Sequence, residues 1–156
     1  MKRVPFVALQ GSLLALAITC LPISSGEPAK KVDSADSVKA IKQVVTSFYD
    51  NLSQGKAEGN KTLFLNQEVT VVGIPGGEGV DKVWQKKASE VLKSWQDAGG
   101  AALTVDSTQV ELLDDALAVA RVKLHNDLVK VRAVFTLTSE GGNWRIASYV
   151  FETRLP

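Results

Sequence analysis

Residues 128–139 read Leu128-Val129-Lys130-Val131-Arg132-Ala133-Val134-Phe135-Thr136-Leu137-Thr138-Ser139. Apolar Val129, Val131, Ala133, Phe135 and Leu137 alternate with Lys130, Arg132, Thr136 and Thr138. A period of two puts one row against a core and the other toward solvent, which is the signature of a half-buried strand. Similar β-rich runs surround it: 102–113, 117–125 and 144–155. The breaks between them are Asp114-Asp115, Asn126-Asp127 and Gly141-Gly142, residues suited to tight turns. The second half of the chain therefore reads as a meander of four long antiparallel strands.

Upstream the period changes. Val38, Ile41, Val45, Phe48 and Leu52 recur at the i, i+3, i+4 spacing of an amphipathic helix, with Ser34 and Asp36 suited to its start and Gly55 to its end. A short helical segment is expected at 60–66, a short strand at 68–72 and a glycine-rich loop at 73–79. A second helix is expected to carry Val80, Val83, Trp84, Ala88, Val91, Leu92 and Trp95 on one face and to stop at Gly99-Gly100. Helices gathered on one face of an antiparallel sheet give an α+β fold.

The 156 residues fit one domain. With 45% hydrophobic and 22% charged residues the chain has enough apolar side chains for a core. Eighteen Lys and Arg against 17 Asp and Glu leave a net charge of +1, which offers no electrostatic footprint for nucleic acid. One Cys excludes an intramolecular disulfide framework, and one His excludes a site built on two imidazoles of one chain. No metal or other cofactor is expected. At the N-terminus Lys2 and Arg3 precede the apolar run 4–18, then Pro22 and the small residues Ser24, Ser25 and Gly26. This is the layout of a secretory signal peptide cleaved near residue 26, with 27–34 as a linker and 35–156 as the domain. The expected destination is the periplasm or the medium, with no membrane contact beyond the signal. Lipidation at Cys20 is the lesser alternative, because Thr19 and Leu21 flank that Cys poorly for it.

The order of elements resembles the NTF2-like superfamily, in its SnoaL-like and lumazine-binding-like branches. The similarity is carried by Phe48-Tyr49-Asp50-Asn51-Leu52 near the end of the first helix and by residues 63–73, where a short helix enters a strand. It also rests on Ala118-Val119-Ala120-Arg121-Val122 after an acidic turn, and on Asn143-Trp144-Arg145-Ile146-Ala147 before the last strand. The resemblance implies a cone whose wide mouth holds a ligand and whose outer sheet face supports association. The superfamily hosts enzymes, binders and association modules, so the fold transfers no function.

On that expectation Tyr49, Asp50, Trp84, Trp95, Phe135 and Trp144 are candidates to line an apolar ligand cavity. Asp50 is the candidate for the inward carboxylate that an enzyme doing ketosteroid-isomerase-like or SnoaL-like proton transfer needs. His125 reads as an exposed histidine beside a turn. The loop 73–79 matches neither phosphate-loop fingerprint, and the helix amides near Val80 remain a weak anion candidate. On the outer face a two-residue Asn126-Asp127 turn would set Lys123 opposite Lys130 and Arg121 opposite Arg132, an unfavourable pairing. Those four residues are the candidate homodimer face. At the Asp114 turn, three residues would bring Gln109 and Glu111 beside Arg121, and two would bring Asp106 and Thr108 beside Lys123 and Arg121. Binding of a small apolar or aromatic molecule is the first functional reading. An enzyme using the same cavity and an association module with a filled cone are the alternatives.

Overall fold

The computed structural model describes residues 34–76 and 82–155. The expected signal peptide, Cys20, nearly all of the linker, and the Val80 anion candidate lie outside the described residues. Helix α1 (Ser34–Ser53) buries Ile41, Val45, Phe48, Tyr49 and Leu52 along one stripe. It ends at Gly55, whose φ of +68° suits a residue without Cβ. The Gly55 N–H donates to Leu52 O at 3.1 Å and the Lys56 N–H to Asn51 O at 2.7 Å, the paired bonds of a Schellman ending. A 3₁₀ turn (Ala57–Thr62) follows, and its buried Asn60 ties the region together. The Asn60 amide donates to Phe48 O at 3.0 Å and accepts from the Asn51 amide at 2.8 Å.

Six strands form one sheet in the order β2-β1-β6-β5-β4-β3. Strands β3 (Thr104–Leu112), β4 (Leu117–His125), β5 (Lys130–Glu140) and β6 (Asn143–Arg154) make the expected meander. β1 (Thr70–Ile74) adds to β6 in parallel, so the sheet is mixed. The inner row of β5 is buried as its alternation requires: Val131, Ala133, Phe135 and Leu137 are at most 5% exposed. Small residues on β4 make room for large ones on β5, with Ala120 opposite Phe135 and Ala118 opposite Leu137. Both helices lie against this inner face, and the core sits between them and the sheet.

Two expectations are corrected. The second helix, α2, spans only Ala88–Asp97, and the preceding Trp84–Lys87 form strand β2, paired antiparallel with β1. Trp84 thus belongs to no helical face, and Val83 is 62% exposed. The reason is tertiary. The first helical N–H groups find backbone acceptors in a distant loop: Ala88 N–H donates to Val69 O at 2.8 Å and Ser89 N–H to Gln67 O at 3.3 Å. Those carbonyls take the place of a side-chain cap, which Lys87 does not provide.

The β4–β5 connection is the second correction. It is wider than Asn126-Asp127, because the Asn126 carboxamide oxygen accepts from Leu128 and Val129 N–H, both at 2.9 Å, and holds a four-residue loop. Register follows from that loop. Lys123 faces Arg132, His125 faces Lys130 and Arg121 faces Val134. At the Asp114 turn the three-residue alternative holds, with Gln109 opposite Arg121 and Glu111 bridging to Arg121 at 2.8 Å.

Candidate functional site

The meander and the ends of the two helices leave a cavity of about 180 Å³ at the mouth of the core. Its walls come from α1 (Tyr49, Leu52), α2 (Trp95), the segment 100–103, the loop after β4 (Asn126, Val129) and the inner faces of β5 and β6 (Val131, Tyr149, Phe151, Thr153). The mouth is pinned by hydrogen bonds between the helix ends. Gly100 N–H donates to Trp95 O at 2.8 Å and Gly99 N–H to Gln96 O at 3.0 Å, ending α2 as Gly55 ends α1. Leu52 O at the end of α1 then accepts the Ala101 N–H at 3.2 Å.

A column of rings forms one wall. Phe135 stacks on Tyr149 with centroids 4.5 Å apart, and Tyr149 on Phe151 at 5.3 Å. Trp95 stands edge-on to Tyr149 at 6.2 Å, and Tyr49 edge-on to Phe135 at 6.0 Å. Such offset and edge geometries add to simple burial. The buried Tyr49 and Tyr149 hydroxyls are hydrogen-bonded to each other at 3.2 Å. Burial pushes the Tyr49 phenol well above its ordinary value, and the neighbouring Tyr149 adds to the shift. Burial also pushes the Tyr149 phenol up, against a smaller lowering by its hydrogen bond with Tyr49. Both phenols therefore stay protonated throughout the neutral range.

The sign of the pH dependence follows. A phenol whose folded value lies above its unfolded one stabilises the fold fully below pH 10, and that contribution is lost as pH rises beyond 10. Urea titrations between pH 8 and 12 are expected to show a steeper loss of stability above pH 10 for the natural chain than for a Tyr49→Phe/Tyr149→Phe double variant. Parallel curves would contradict the shifts.

Of the six residues expected at the cavity, the structure brings Tyr49 and Trp95 to its wall. Phe135 lies one layer behind, fully buried under Tyr149. Trp144 is buried in the core away from the lining. Trp84 covers Gly73, where a Cβ would overlap its ring, and packs on Phe151 at 5.6 Å. Asp50 is exposed, because it lies one helical step off the buried stripe, and it does not line the cavity.

Sequence reasoning missed Tyr149 and Phe151. The signal was the spacing of the last strand, where inward residues run 144, 146, then 149, 151. The odd step marks a bulge, since Thr136 pairs with Ser148 but Leu137 with Ile146, and Ala147 is the extra residue.

Arg121, Lys123, Lys130 and Arg132 are all exposed on the outer face of the sheet. His125 is exposed there too, with its Nδ1 2.7 Å from an Asp106 carboxylate oxygen. Among the described residues no group of three or more His, Cys, Asp or Glu is placed to hold a metal ion, and no helix is long and apolar enough to cross a membrane.

The sequence profile of the family described as "putative lumazine-binding" matches residues 36–152, from the first turn of α1 to within two residues of the end of β6. The chain belongs to this family. Its fold is that of the NTF2-like superfamily. An NTF2-like protein of unknown function from Methylobacillus flagellatus KT is similar in structure with a TM-score of 0.67, at 22% identity over 81% of this chain and 98% of that one. Another, from Shewanella baltica OS155, has a TM-score of 0.66 at 13% identity, covering 78% and 97%. A protein from Novosphingobium aromaticivorans described as a putative scytalone dehydratase has a TM-score of 0.57 at 12% identity, covering 76% and 87%. No match to the curated proteins was found. At these identities the likeness carries the fold alone.

Proposed function

We propose that this family member binds a small apolar or aromatic molecule in the mouth of its cone and does not transform it. The observation that carries this reading is the open, ring-walled cavity itself. A pocket of this kind, apolar with few polar groups, is the ordinary form of a small-molecule site. The proton-transfer alternative needs a base. Among the described lining residues there is no carboxylate or imidazole, and the two phenols are held protonated. The family's described name points to a pteridine-like ring, which the stacked column would suit in kind.

Incubation with a metabolite mixture, followed by mass spectrometry of what is retained, tests the reading. Uncharged ring compounds are expected to be retained by the natural chain. A Leu103→Trp variant, which fills the cavity from its rim, is expected to lose them. Retention of nothing, or equal retention by both, would favour the association module.

We also propose export, from the character of residues 1–26, and pairing of two copies through the outer sheet face. That face carries Val134, 39% exposed, at its centre, flanked by Arg121, Lys123 and Arg132. An apolar centre with a charged rim is interface anatomy. Light scattering is expected to give a dimer mass that Val134→Arg reduces to a monomer; a natural chain already monomeric would reject the pairing.

A further inference from the structure

We propose that the outer face of the sheet holds a doubly charged oxyanion of the phosphate type, free or as the head of a small ester, between Lys123, Arg132 and Ser107. The site belongs to a single chain and is separate from the cavity at the mouth.

Register puts like charges together. Lys123 on β4 lies directly opposite Arg132 on β5, and Lys130 precedes Arg132 by two residues on the same face, opposite His125. Like charges directly opposite destabilise a sheet. The nearby carboxylates do not relieve the repulsion, because each is engaged elsewhere. Glu111 pairs with Arg121 at 2.8 Å and Asp106 with His125 at 2.7 Å. Glu152 stands opposite Arg132 in register but pairs with Arg154 at 2.7 Å. Among the described residues no carboxylate lies within ion-pair distance of Lys123, Lys130 or Arg132. Three adjoining cations are left facing one another.

Shape and donor chemistry select the ligand. A hollow of about 320 Å³ runs over β3, β4 and β5, and its walls include Ser107, Gln109, Arg121, Lys123, Arg132 and Val134. A second hollow of about 250 Å³ adjoins it, shares Lys123 and Arg132, and adds Lys130. The two cations thus form the common wall of both. Ser107 is the cross-strand partner of Lys123 on β3, and among the described residues its hydroxyl has no hydrogen-bond partner. A guanidinium fork matches two oxygens of a tetrahedral oxyanion, an ammonium adds a point charge, and a hydroxyl donates to a third oxygen. Two negative charges offset the repulsion of the cluster better than one. Val134, 39% exposed in the same hollow, offers an apolar surface for the body of an ester.

NMR titrations of backbone amides and melting curves test this, with inorganic phosphate and phenyl phosphate as probes. They are run at pH 8, where the phosphate group is a dianion, with ionic strength held constant by sodium chloride. The natural chain is expected to shift its amides around 107, 123 and 132 with saturation, and to melt higher in phosphate than in chloride alone. Lys123→Gln and Arg132→Gln are each expected to weaken binding about fivefold, the factor for one exposed charge contact, and the double variant to abolish it. Lys42→Gln makes the same charge change on the exposed side of α1 and is expected to leave binding unchanged. In chloride alone each single variant at the site is expected to melt no lower than the natural chain, since it relieves a repulsion. That readout separates loss of the site from loss of the fold. Tighter binding of phenyl phosphate assigns the site to an ester, and equal binding assigns it to the free anion; both support it. Absence of saturable shifts in the natural chain, equal weakening by Lys42→Gln, or a lower melting temperature on removing either cation would overturn the proposal.

Discussion

Replacing Phe48 by Ala lowers the stability of the domain by roughly 3–5 kcal/mol, the range for removing a large aromatic from a packed core. Phe48 is fully buried on α1 and is the hub of the ring cluster. Its centroid lies 5.1 Å from those of Tyr49 and Tyr149, 5.3 Å from Phe135, 6.1 Å from Phe64 and 6.3 Å from Trp95. Truncation removes apolar burial and several edge-to-face contacts at once, and leaves a void between α1 and the sheet. The melting temperature is expected to fall by roughly 10–20 °C in calorimetry. A fall of a few degrees would mean that the helix collapses onto the sheet to close the void, and that the ring cluster is less rigid than its geometry implies.

Two adjacent glycines give the second large effect. Gly99 and Gly100 both have positive φ, +80° and +79°. They differ in what a side chain would meet. A Cβ on Gly99 has nothing within 4 Å, whereas one on Gly100 overlaps the carbonyl oxygen of Leu52, a backbone atom that cannot step aside. Gly99→Ala is therefore expected to cost about 1–2 kcal/mol, the left-handed penalty alone. Gly100→Ala adds a steric clash at the junction of the two helix ends and is expected to cost roughly 2–4 kcal/mol. Gly100 also lines the cavity, so ligand retention should weaken in that variant and not in Gly99→Ala. Equal melting temperatures for the two alanine variants, from chemical or thermal denaturation, would contradict the close contact of α1 with the segment after α2.

Local patterns carried much of this fold. The alternation from Val129 to Leu137 predicts the inner face of β5, and Ile41, Val45, Phe48 and Leu52 predict the buried face of α1. Both helix ends were legible in Gly55 and Gly99-Gly100. What local patterns did not carry was settled at a distance. The start of α2 depends on the carbonyls of Gln67 and Val69, so the run from Val83 to Trp95 looks like one helix until its first half pairs with β1. The Asn126 loop is held open by its own side chain, which shifts each cross-strand pair on the outer face by two residues along β5.

The site was legible only in part, for related reasons. Tyr49 could be placed from its helix, and Asp50 could have been set aside on the same grounds, since it falls outside the stripe of buried positions. Trp144 faces inward as its alternation requires, but it pairs with Ser139 beside the β5–β6 turn, at the opposite end of β6 from Thr153 and the mouth. The bulge at Ala147 changes the phase of β6 beyond Ile146 and turns Tyr149 and Phe151 inward toward the mouth. The residues that shape the cavity most are therefore the ones whose facing depends on a single inserted residue.

The mouth of the cone holds an apolar cavity walled by Trp95, Tyr149, Val131 and Leu103. A crystal of the protein pressurised with xenon tests it most directly, because xenon enters dry apolar cavities. A xenon atom is expected among those four side chains, and none there in the Leu103→Trp variant. Side chains of the same chain closing over that space, with no xenon found in it, would show that the cone has no ligand cavity.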